Sequence, residues 1–247
     1  MLILASLLLV AVLTFLAVTV GPLYVADRFR DTRAPTDAER ETLSALRAEA
    51  GLDVDRVAIF ETDEAAADGD EASAAAAGDE ATAVAASDET SAAAAETPTI
   101  DVGVKGPPGR RVLFVTDDVL DVLDEDVAVA LLAAEAGRLE TYYNEFRAVA
   151  VAVVVAILAA VVTTIVPFEP GFTALAAIGF VSFWVGRRVQ YAADARAAER
   201  VGAETLADAF ERVAELQGVT PETGTWRTWF EVQPPLGDRI AALREGR

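Results

Sequence analysis

The chain has 247 residues, a formal net charge of −20, and neither Cys nor His. Without Cys there are no disulfides, thiol nucleophiles, Cys-based zinc sites or iron–sulfur clusters, and without His the commonest general base and any Ser-His-Asp triad are gone. Forty acids against 20 bases also exclude nucleic acid as an expected partner, because that binding needs Lys and Arg to neutralise phosphates.

A hydrophobic content of 53% beside this charge means that apolar and acidic residues occupy separate segments. Lys105 is the only lysine, and removing the ten acids of 62–96 still leaves about −10. An acidic, lysine-poor chain suits a salt-rich cytosol, where screening tolerates the self-repulsion. A salt-accumulating halophile is the expected source.

Residues 2–20 carry no charge and are long enough, at roughly 29 Å, to cross the hydrocarbon core of a bilayer. A cleaved signal peptide would need a basic start and a small-residue cleavage site, and neither is clear. Arg28, Arg30 and Arg33 follow instead, as they would for an anchor whose C-terminal side faces the cytoplasm. Thr36-Asp37-Ala38-Glu39 has capping-box spacing and opens a helix that Gly51 ends. Residues 57–60 read as a short strand. The tract 62–96 has no aromatic and no base, and is expected to be a disordered insertion that buries too little apolar surface to order itself. A Gly-Pro-Pro-Gly turn at 106–109 leads into a second strand, 111–115; its prolines remove the amide donors a phosphate cradle needs.

Asp124 is placed to cap the next helix, with Val127, Leu131 and Leu132 on one side, and the pattern predicts that it continues through Tyr142 and Tyr143 into the membrane. Residues 148–166 are again uncharged, a turn is predicted at 167–170, and 171–185 form a third uncharged run. Arg147 precedes this pair, Arg187 and Arg188 follow it, and the turn has no base. That pattern describes a helical hairpin with both ends in the cytoplasm. The third run is shorter than a full span, so a buried core helix stays open as an alternative. A long helix over 190–217, a break at Pro234-Pro235 and a short helix over 238–244 complete the chain. Tyr142, Tyr143, Trp184, Trp226 and Trp229 read as interfacial anchors.

This order resembles the HtpX-type membrane zinc metallopeptidases, which are related to the CAAX prenyl proteases. Leu43 to Phe60 is similar to the segment after that family's first anchor, and Arg111-Val-Leu-Phe-Val-Thr-Asp-Asp-Val-Leu120 to the strand and turn before its metal helix. Asp124 to Arg138 sits where the family places its H-E-x-x-H helix. Gln190-Tyr-Ala-Ala-Asp194 resembles its E-x-x-x-D motif, and Gln233-Pro-Pro-Leu-Gly-Asp-Arg-Ile-Ala-Ala-Leu243 its H-P-P-x-x-x-R-I-x-x-L ending.

The resemblance implies a mainly α, membrane-integral fold with a small β element and a transmembrane hairpin. Its expected parts are an anchor over 1–22, a peptidase-like domain split into 36–147 and 187–247 on the cytoplasmic side, and the hairpin over 148–186. It also implies zinc as the family cofactor, and here the residues depart from it. Ala134 and Arg138 stand at the two His positions, Gln190 at the third ligand, and Gln233 at the His before Pro-Pro; only Glu135, the residual general-base position, and Asp194 keep the family's residue type. Ala has no donor atom, Arg no lone pair, and Gln only a neutral oxygen. No metal and no catalytic residue is therefore expected. Arg138, one turn from Ala134, is expected to stand in electrostatically for the metal by pairing with Glu135 or Asp194.

Three functional readings follow. The first is a non-catalytic pseudopeptidase in the cell membrane that binds membrane-protein segments or an active relative and regulates turnover. The second is an active metalloendopeptidase with an unorthodox metal site. The third is a structural membrane protein unrelated to the family. The bilayer is a partner in all three.

Overall fold

The computed structural model describes residues 2–29, 32–60, 98–223 and 234–246. The acidic tract 62–96, Trp226, Trp229 and Gln233 lie outside the described residues.

Among the described residues, three helices are long and apolar enough to cross a membrane: α1 (Leu2–Phe29), α5 (Tyr143–Val162) and α6 (Phe168–Val201). Helix α5 packs against both α1 and α6. Large apolar side chains such as Leu8, Leu13, Val149, Phe172 and Phe180 point away from the protein, as lipid-facing residues do. The hairpin differs in detail from the sequence expectation. The reversal occurs at 163–166 rather than 167–170, and Pro170 sits in the first turn of α6, where its missing N–H is harmless. Helix α6 then runs unbroken for 34 residues, about 51 Å, well beyond the uncharged run. The single helix expected over 190–217 is therefore two. Gly202, at φ 91, ends α6, and α7 spans Ala203–Leu216.

Among the described residues the sheet has four short strands, β1 (Thr32–Arg33), β2 (Arg56–Phe60), β3 (Val102–Lys105) and β4 (Val112–Thr116), in the order β1-β2-β4-β3. Strands β2 and β4 are parallel; the outer pairings are antiparallel. The turn at 106–109 closes β3 and β4 into a hairpin. Strands β1 and β3 carry little apolar patterning and were not foreseen.

Helix α2 (Asp37–Ala50) has the expected capping box, with Glu39 N–H bonded to Thr36 Oγ1 and the Glu39 carboxylate returning to Thr36 N–H. Gly51, left-handed at φ 66, caps its C-terminus. After the single turn α3 (Asp118–Asp121) comes α4 (Glu125–Glu140). Asp124 sits at its N-cap, but its side chain makes no capping hydrogen bond. Nor is α4 amphipathic: ten residues around its circumference are buried, so it is the central helix of the core rather than a one-sided surface helix. It does not continue into the membrane as expected. Tyr142 adopts a left-handed conformation at φ 53, uncommon for an aromatic residue, and α5 starts afresh at Tyr143. Helix α8 (Leu236–Arg244) closes the core, where Leu43, Ile59, Leu113, Leu132 and Leu206 are fully buried together.

Candidate functional site

Helices α4 and α6 meet at a contact that only glycine permits. A Cβ on Gly137 would collide with the backbone carbonyl of Ala193. This close approach lays 134–138 beside 190–197, so the helix resembling the family's metal helix lies against the one resembling its third-ligand motif.

Glu135 is 5% exposed. Its Oε1 accepts from Arg138 Nη1 at 2.7 Å, and its Oε2 accepts from the backbone N–H of Val104 on β3 at 3.2 Å. Asparagine 144, at the start of α5, donates from Nδ2 to the carbonyl of the same Val104 at 3.3 Å. Arg138 thus takes one of the two carboxylates expected for it, and Ala134, buried one turn away, contributes no polar atom.

The second carboxylate has another partner. Asp194, 3% exposed, receives a two-pronged hydrogen bond from Arg239 of α8, Nε to Oδ2 at 2.9 Å and Nη2 to Oδ1 at 2.8 Å. The Arg239 guanidinium also stacks over the Phe210 ring of α7, 4.6 Å from its centroid. Gln190, completely buried one turn before Asp194, donates from Nε2 to Asp194 Oδ1 at 3.1 Å, while its Oε1 has no hydrogen-bond partner. Among the described residues, no cluster of three or more His, Cys, Asp and Glu is arranged to hold a metal ion.

Sequence reasoning placed Glu135, Arg138, Gln190 and Asp194 in one region, and the structure packs the two helices that carry them together. It missed the partner of Asp194, although Arg239 lies inside the Asp-Arg-Ile stretch already quoted for the resemblance. It also missed Val104 and Asn144, for which no motif gave a signal, because Val104 belongs to the unforeseen strand β3 and Asn144 is placed by the turn between α4 and α5.

No family model matches the chain. A stretch of 80 residues is 35% identical to Protease HtpX of Alkalilimnicola ehrlichii, covering 27% of this chain and 27% of that protein. The fold matches the crystal structure of S. mikatae Ste24p with a TM-score of 0.65 at 15% identity, over 96% of this chain and 56% of that one. The chain therefore spans about half the length of the solved relative, and matches about a quarter of the curated one. Together the two matches support a relationship to the HtpX and Ste24 type of membrane metallopeptidase, the structural match speaking for the fold.

Proposed function

We propose that this protein is a catalytically inactive homologue of the HtpX-type membrane metallopeptidases, a pseudopeptidase with a regulatory or binding role in membrane-protein turnover. One observation carries the reading: each carboxylate at the site already has an arginine, Glu135 with Arg138 and Asp194 with Arg239. A catalytic zinc takes three protein ligands and leaves a fourth position for water. Here the described positions offer Ala134 without a donor, Arg138 as a fixed cation, and Gln190 with a neutral oxygen. These side chains do not fit a dication, which would have to displace a guanidinium 2.7 Å from Glu135.

Gln190 Oε1, buried without a hydrogen-bond partner, is the one feature that favours an active enzyme with an unorthodox metal site, since it is an acceptor aimed at no donor. Metal analysis of the purified full chain separates the two. The pseudopeptidase reading expects zinc far below one per chain and unchanged by Glu135→Gln. Stoichiometric zinc lost with that substitution, or chelator-sensitive cleavage of a polypeptide, overturns it. The unrelated structural protein loses its ground to the HtpX and Ste24p matches.

The same reading makes the protein multi-pass, with α2, the sheet and α7 on the cytoplasmic side. Arg147 and Arg187 flank the hairpin and 163–168 carry no base, which supports that orientation. Membrane-protein segments or an active peptidase homologue are the proposed partners, and the acidic surface is proposed to serve a salt-rich cytosol.

A further inference from the structure

Strand β3 is an edge of the sheet, and an edge strand ordinarily presents unpaired N–H and C=O groups to which another extended chain can add. Its hydrogen-bonding phase is fixed by two contacts. Thr116 N–H donates to the Asp101 carbonyl at 3.1 Å, and Asp101 N–H to Thr116 Oγ1 at 3.1 Å, so Asp101 faces β4. Antiparallel pairs alternate, which turns Gly103 and Lys105 toward Phe114 and Val112 of β4 and turns the backbone groups of Val104 outward.

Those outward groups are not open. Val104 N–H is bonded to Glu135 Oε2 and Val104 C=O to Asn144 Nδ2. Further along the same edge, the Ile100 carbonyl accepts from Gln217 Nε2 at 2.8 Å. Three side chains, from α4, from α5 and from the cap that follows α7, thus occupy backbone positions that an added strand would need. Glu135 is oriented for this by Arg138, which holds its other oxygen.

We propose that Glu135, held by Arg138 and assisted by Asn144, is a latch that closes the β3 edge to an incoming extended peptide. The proposal rests on the non-catalytic reading, since a carboxylate bonded to both Arg138 and Val104 is engaged as a strut and not as a base. It also gives that reading a regulated state: opening the latch exposes a strand edge beside α4.

The test is residue-resolved amide hydrogen exchange on the full chain in detergent micelles, for wild type, Glu135→Ala and the double variant Glu135→Ala/Arg138→Leu, which leaves no orphaned cation should the single variant fail to fold. The Val104 amide is expected to exchange slowly in wild type, and about tenfold or more faster without Glu135, the loss expected for a hydrogen bond to a charged group. Gly103 and Lys105, bonded to β4, should keep their rates. A fluorescent extended peptide of alternating Val and Thr should bind the variants and not wild type. An unprotected Val104 amide in wild type, unchanged exchange in both variants, or equal peptide binding by all three overturns the latch. Zinc measured on the same samples reports separately on the pseudopeptidase reading, so either can fail alone.

Discussion

The two arginine–carboxylate pairs at the site start from helices that pack together, α4 and α6, yet they are built differently. Arg138 and Glu135 are three residues apart on α4, with side chains 13% and 6% exposed, joined by a single contact at 2.7 Å. Arg239 and Asp194 are 45 residues apart in sequence, 7% and 4% exposed, and joined by two hydrogen bonds under an aromatic ring. The first is a local rearrangement of one helix surface that ends on a strand. The second ties α8 to α6 across the core. If the site no longer holds a metal, stability and gating have been divided between these two pairs.

The division predicts unequal costs. Arg239→Ala leaves Asp194 buried with Gln190 as its hydrogen-bond donor among the described residues, and should destabilise the protein by about 3–5 kcal/mol, the usual penalty for halving a buried pair. In a thermal melt in detergent this is a fall of roughly 10 °C. Replacing both partners by apolar residues, Asp194→Leu with Arg239→Met, should recover much of that loss, because the desolvation cost disappears with the charges. A melt for Arg239→Ala indistinguishable from wild type would show that the pair is not the tie described here.

Arg138→Ala should cost less, about 1–3 kcal/mol, because Glu135 keeps its bond from Val104 and Arg138 is less buried than Arg239. The melting temperature should drop by about 5 °C. If Arg138→Ala proves as damaging as Arg239→Ala, the contrast between the pairs fails and Arg138 belongs to the core. Gly137→Ala provides an independent check on the geometry that brings the two pairs together. Its methyl must push α4 away from the Ala193 carbonyl, so a cost of about 2 kcal/mol or more is expected where an ordinary helix position would gain from the same change.

Much of this was legible in the sequence, and for identifiable reasons. The apolar runs announced α1, α5 and the first half of α6 because a bilayer demands a long uncharged stretch, a signal that needs no tertiary context. The box at Thr36 and Glu39 and the stop at Gly51 were equally local. What failed was decided by packing. Strand β3 exists because it pairs with β4, and α4 stops at Glu140, before Tyr142 turns left-handed and α5 begins. The continuous α6 hides its extent behind a change from apolar to charged residues at Arg187, midway along one helix. At the site, the lettering Asp-Arg-Ile marked Arg239 as part of a pattern, but only the fold shows that its guanidinium reaches back to Asp194.

A third pair extends the gradient to the surface and carries the smallest effect. Glu39 is gripped by Arg33 through two bonds of 2.7 Å and by the Thr36 N–H. The Arg33 hydrogen bonds first, and then the Thr36 backbone bond, hold its carboxyl at about 2, against an ordinary value of 4.5. A carboxylate whose pKa is lowered by folding adds stability above its unfolded value and loses it as the pH falls through the folded one. The contribution of Glu39 should therefore be complete above about pH 4.5 and gone by about pH 2. Solvent reaches this pair, its side chains being 32% and 24% exposed, so the full shift overstates its worth. About 1 kcal/mol is the expected loss for Glu39→Gln at neutral pH, and more salt should shrink it. The difference in melting temperature between wild type and Glu39→Gln, followed from pH 7 downward, should narrow below about pH 4.5 and close near pH 2. A constant gap across that range would mean that the carboxylate acts through its shape in the capping box rather than through its charge.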